Sequence, residues 1–154
     1  MSFDLAVFFN TSDSPKEIIL PVLRELGDTG PEDHSGYWFT TIDDSSLHFR
    51  IVEITHQNQH GHSLGFKWCL YVYANSGCTP ITRWAQFSVL YRCLAFFPDS
   101  AAHDPQSDQT FTSPELYWQF ASRCVSKWPG LPRKLSRLGL MTDDGNLVLD
   151  RPPE

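Results

Sequence analysis

Residues 80–97, PITRWAQFSVLYRCLAFF, are apolar on almost every side when wound into a helix. Ile81, Trp84, Phe87, Tyr91 and Leu94 form one stripe, and Val89, Leu90, Cys93 and Phe96 fill the space around it. A helix with that pattern lies deep in a core, so the rest of the chain has to supply its cover. Thr79-Pro80 marks its start. The threonine hydroxyl can cap a free N–H group, and proline suits the first helical position.

The cover is legible as strands. Residues 3–9 (FDLAVFF) are apolar and aromatic and end at Asn10-Thr11-Ser12-Asp13, which predicts a strand. Residues 36–42 predict another, ending at the turn Asp43-Asp44-Ser45-Ser46. Residues 47–54 alternate, with Leu47, Phe49 and Ile51 on one face and His48, Arg50 and Val52 on the other. Residues 66–73 set Phe66, Trp68, Leu70 and Val72 against Lys67, Cys69, Tyr71 and Tyr73. Period-two alternation means that each strand gives one face to the core, as in an antiparallel sheet.

Two more helices are marked by the same Ser/Thr-Pro signal. Ser14-Pro15-Lys16-Glu17 is a capping box that opens a helix to about Leu26, with Pro21 expected to kink it or delay its start. Ser113-Pro114-Glu115 opens a third, to Trp128, with Tyr117, Ala121, Cys124 and Trp128 facing in and Gln119, Ser122, Arg123, Ser126 and Lys127 facing out. Gly27–Ser35 and residues 98–111 read as loops. The tail holds a short segment, Leu135–Leu138, and a possible strand, Asn146–Leu149. The expected fold is α+β in a single domain over residues 1–154: a mostly antiparallel sheet of four to five strands with two to three helices packed on one face.

Composition narrows the function classes. The net charge of -6 argues against nucleic acid as a partner. The start lacks the basic residues and long apolar run of a signal peptide. The longest strictly apolar run, Trp68 to Ala74, falls far short of the roughly 20 residues that span a bilayer. A cytoplasmic protein without membrane contact is expected, with Cys69, Cys78, Cys93 and Cys124 reduced.

Motifs for chemistry are weak. The sequence has no P-loop, no G-x-G-x-x-G and no G-x-S-x-G around Ser63 or Ser76, and its cysteines have no activating histidine nearby in sequence. No catalytic residue and no cofactor is therefore assigned. His56, His60 and His62 share one loop and could bind a metal ion, although their spacing matches no established ligand pattern. That leaves a small metal-binding protein or metal-dependent enzyme as the alternative reading. An adaptor domain, with its aromatics serving only the core, also stays open.

Charge layout says more. Residues 1–53 hold ten acids against three bases, and residues 54–154 hold eight acids against nine bases. The acids Glu25, Asp28, Glu32, Asp33, Asp43 and Asp44 crowd around Tyr37 and Trp38. Acid beside exposed aromatic is the composition of a protein-binding patch, in which carboxylates steer a cationic partner and aromatics anchor it. Asp28, Glu32, Asp33, Tyr37, Trp38, Asp43 and Asp44 are the candidate partner-binding residues, and the polar sheet face with His48, Arg50, Lys67, Tyr71 and Tyr73 could extend them. Arg123, Lys127, Arg133, Lys134 and Arg137 lie in a stretch without acid, which suits an acidic second partner or a self-contact.

The opening strand MSFDLAVFF, the acid-rich stretch Glu25–Asp44 around Tyr37-Trp38 and the two aromatic helices resemble the small cytoplasmic immunity proteins that bacteria pair with secreted polymorphic toxins. The resemblance is one of architecture and charge. It implies an acidic α+β domain without catalytic residues that plugs or covers the active site of a cognate protein toxin with a basic surface. The basic segment 123–137 departs from a uniformly acidic pattern.

Overall fold

A computed structural model describes residues 3–24, 28–33, 36–40, 46–55, 64–74 and 79–149. Strand β1 (Phe3–Phe9) lies inside the sheet, hydrogen-bonded on both sides. Helix α1 (Pro15–Arg24) carries the chain to the sheet edge. There β2 (Asp28–Asp33), β3 (Gly36–Thr40), β4 (Ser46–Glu53) and β5 (Trp68–Ala74) return strand by strand to β1. Helix α2 (Pro80–Phe96) then crosses to β6 (Ser100–Asp104) on the other side of β1, followed by β7 (Gln109–Phe111), α3 (Pro114–Ser126) and α4 (Leu131–Arg137). The sheet order is β2-β3-β4-β5-β1-β6-β7, and every neighbouring pair is antiparallel.

The α+β class with an antiparallel sheet holds. The counts differ: the described residues form seven strands and four helices, against four to five strands and two to three helices expected. The extra strands come from segments that read as loops. Asp28–Asp33 (DTGPED) has almost no intrinsic strand preference. It becomes a strand because β3 offers it a ladder, and its register shifts between Thr29 and Glu32. Gly30 and Pro31 fall in that irregularity, where a proline can be accommodated on an edge strand.

The loop expected over residues 98–111 contains the β6–β7 hairpin. Ser100, Ala101 and Ala102 are small, so the signal of bulky strand formers is missing, yet all are buried beside β1. The Asp104 carboxylate accepts hydrogen bonds from the Gln106 N–H at 3.0 Å and the Ser107 hydroxyl at 2.8 Å, which shapes the turn. Asp108 completes it at φ 55°, a conformation that aspartate tolerates better than most residues.

Helix α2 is enclosed over its first three turns, but Phe96 in its last turn, expected in the core, is 60% exposed. Every residue from Ile81 to Leu90 is buried, Trp84 completely. Thr79 caps it by accepting from the Thr82 N–H at 3.3 Å. Gln86 is wholly buried and donates to the Val72 carbonyl at 3.1 Å, so it ties α2 to β5. In α1, Pro15, Ile19 and Leu23 face the core while Pro21 points to solvent, where water can satisfy the carbonyl it leaves unpaired.

The four helices share one face of the sheet with Leu5, Val7, Phe9, Leu47, Phe49, Leu70 and Val72. The opposite face carries a separate, smaller cluster of Ala6, Phe8, Ile54 and Cys69, bordered by Val52, Phe66 and Tyr71.

The tail departs from expectation. Asn146–Leu149 makes an isolated bridge, Met141 to Leu147, instead of a strand in the sheet. It is held by helix side chains. Trp118 Nε1 donates to the Leu147 carbonyl at 2.7 Å, and the Leu147 N–H donates to Ser122 Oγ at 3.1 Å. Trp84 Nε1 and the Ser88 hydroxyl donate to the carbonyls of Val148 and Leu149. Ser122, expected to face out, is 5% exposed for this reason. Cys124 and Trp128, expected to face in, are only partly buried.

Candidate partner-binding surface

The acidic stretch lies at one margin of the sheet. Asp28, Glu32 and Asp33 are on β2, the outermost strand, and Tyr37 and Trp38 are on its neighbour β3. Five of the seven candidate residues thus share one edge hairpin. Asp43 and Asp44 lie outside the described residues. Charged edge strands are a general device against edge-to-edge aggregation.

Register assigns Tyr37 and Trp38 to different rows. Tyr37 pairs with Glu32 on one side and Phe49 on the other, and Phe49 belongs to the helix-side core. Trp38 pairs with His48, which continues through Tyr73 to Asp4. Adjacent residues of a strand belong to opposite faces, so the two aromatics occupy positions on opposite faces of the sheet.

The row that contains Trp38 runs onto the polar face named from sequence. His48 and Tyr73 stack with ring centroids 5.7 Å apart, and Tyr71 stacks on Tyr73 at 5.9 Å. Arg50 is exposed and pairs in register with Tyr71. Lys67 sits 5.9 Å from the Trp68 ring centroid. Burial and the neighbouring Cys69 push the Tyr71 hydroxyl up to about 12, with Arg50 acting weakly the other way, so this phenol stays protonated and can donate a hydrogen bond. Stacked aromatic rings and a flanking guanidinium give this face flat apolar area with polar tips.

Phe8 extends the same side of the sheet, stacked on Phe66 at 6.2 Å and tilted against His103 at 6.1 Å. His103 Nδ1 lies 3.1 Å from the Thr110 hydroxyl, and its Nε2 lies 3.7 Å from the Asp108 carboxylate. Sequence reading missed His103 because its strand was not recognised.

The thiols offer no activated nucleophile among the described residues. Burial pushes Cys69 and Cys93 up to about 12, and burial with the nearby Asp104 raises Cys124. A thiol held above its ordinary range is protonated and unreactive. Cys69, Cys93 and Cys124 are free, and Cys78 lies outside the described residues, as do Ser63 and Ser76. His56, His60 and His62 also lie outside them. No group of three or more metal-ligating side chains occurs among the described residues, and no helix there is long and apolar enough to cross a membrane.

Compared with known proteins, the chain matches no family model, no curated protein and no solved structure.

Proposed function

We propose that this chain is a cytoplasmic binding protein that neutralises a cognate bacterial toxin by occlusion, with no chemistry of its own. The observation that carries the reading is the concentration of Asp28, Glu32 and Asp33 on the outermost strand of the sheet, next to the strand of Tyr37 and Trp38. Carboxylates there meet Lys and Arg on the toxin, speed the encounter and reject partners of the wrong charge. An edge strand also presents backbone groups with which a partner strand can pair. Trp38 supplies apolar anchoring, continued by the His48–Tyr73–Tyr71 stack. Asp43 and Asp44 follow β3 in sequence and belong to the same proposed surface.

The partner is to be sought by co-purification from the native host and in the product of the adjacent reading frame. Charge reversal at Asp28, Glu32 and Asp33, and separately at Asp43 and Asp44, should weaken that complex by about tenfold or more and flatten its dependence on salt. Unchanged affinity and unchanged salt dependence in both variants would sink the proposal.

A further inference from the structure

We propose that a cavity at the start of α2 binds a phosphoryl group, inorganic or esterified, between Arg83 and Lys134. The cavity has a volume of ≈ 180 Å³ and is lined chiefly by Thr79, Pro80, Arg83, Trp128, Leu131 and Lys134. That space holds several waters, enough for a small oxyanion with part of its shell removed.

Arg83 is the core of the argument. It is 7% exposed, and its guanidinium carbon sits 4.2 Å from the centroid of the Trp128 ring. Its Nη1 donates to Gln86 Oε1 at 3.3 Å. The ring and the amide orient a planar, permanently charged fork, which removes much of the entropy cost of ordering it around a ligand. Lys134 adds a second cation from a different helix. No carboxylate lines the cavity among the described residues, and the sequence has no acid between Glu115 and Asp143.

Two cations on the wall of a concave, partly apolar site focus positive potential on its interior. A phosphoryl group matches this pair because it carries up to two charges and offers several oxygens. Arginine can engage two of them as a fork, and lysine acts as a point charge. The first turn of α2 adds the positive end of the helix dipole as a secondary contribution. The proposal gives a role to the basic segment 123–137, which supplies Trp128 and Lys134. It draws on α2, α4 and the turn between α3 and α4, and on no residue of the β2–β3 hairpin. It therefore stands or falls independently of toxin binding.

The test uses the full chain alone, titrated with inorganic phosphate at constant ionic strength. Binding is read from the Trp128 indole N–H resonance and by calorimetry. A saturable shift is expected. Lys134→Gln should weaken binding by about fivefold or more. Arg123→Gln, which removes the same charge from an exposed site on α3, should change it by less than about twofold. Arg83→Lys keeps the charge and loses the fork, and is expected to weaken binding as well; where that variant fails to fold, the exposed Lys134 decides. Phosphoserine titrated in parallel separates the sources: tighter binding than inorganic phosphate identifies an esterified group, and equal or weaker binding identifies the free ion. A non-saturable response, equal losses in Lys134→Gln and Arg123→Gln, or acetate binding as well as phosphate would each overturn the proposal.

Discussion

On the helix side of the sheet, Leu47, Phe49, Leu70 and Val72 are sealed under α2 with no exposed surface. One residue along the same strands, His48, Tyr71 and Tyr73 are only half-buried and Arg50 is exposed. The backbone is shared, so side-chain chemistry and cover account for the contrast. The helix side is closed by apolar contacts that reward burial. The other side is built of stacked rings and polar tips, which lose little by remaining accessible. The same strands thus bury one face and leave the other accessible.

The sharpest way to break this comparison is a large truncation on each side. Trp84→Ala removes a fully buried indole together with its hydrogen bond to the Val148 carbonyl, and should cost about 3–5 kcal/mol in denaturant unfolding. Tyr73→Ala, on the open face, should cost less than about 1 kcal/mol. A Tyr73→Ala penalty as large as that of Trp84→Ala would show that the second face is core as well.

The next effect is pH-dependent and involves one thiol on each side. Cys69 on the open side and Cys93 on the helix side both have pKa values pushed up from 9.0 to about 12 by burial. The folded state holds these protons more tightly than the unfolded state. Their contribution is therefore fully present below about pH 9 and is lost as pH rises from there through about 12. The slope should reach at most about 1.4 kcal/mol per pH unit for each thiol. Stability curves of Cys69→Ala and Cys93→Ala should each lose one share of that slope, and a slope unchanged in both variants would remove the thiols as its cause.

A smaller effect concerns the tail. Ser122→Ala leaves the buried Leu147 N–H without its acceptor and should cost about 1–2 kcal/mol, with faster amide exchange at Leu147 as the local readout. Smallest of all, charge reversal at Asp28, Glu32 and Asp33 should change stability by no more than about 0.5 kcal/mol per site, because these acids lie on an edge strand. A larger loss would mean that the acidic edge is structural.

Much of the helix layer was legible because its signals are local. Thr79-Pro80, Ser113-Pro114 and Ser14-Pro15 place three helix starts where the structure has them. The alternation in 47–54 and 66–73 correctly divided His48 and Arg50 from Leu47 and Phe49, and Tyr71 and Tyr73 from Leu70 and Val72, but it misplaced Phe66, which precedes the strand and packs on Phe8 on the other face. The surface was less legible. That Tyr37 and Trp38 occupy opposite-face positions follows from strand periodicity. That Trp38 pairs with His48, and His48 with Tyr73, required the strand order. The pairing of Arg83 with Trp128 joins residues far apart in sequence and left no local trace.

By itself the sequence determined the α+β class, the enclosed helix α2, the two-faced strands and the uneven charge. Each depends on spacing within a few residues, where capping, helical period and strand alternation act. Only the tertiary structure decided that Asp28–Asp33 and Ser100–Asp104 are strands, that the tail docks on helix side chains, and that Arg83 and Lys134 line the same cavity. Apart from Asp28–Asp33, which pairs with the neighbouring β3, the decisive partners there are distant in sequence, and in every case pairing outweighs what the local residues prefer.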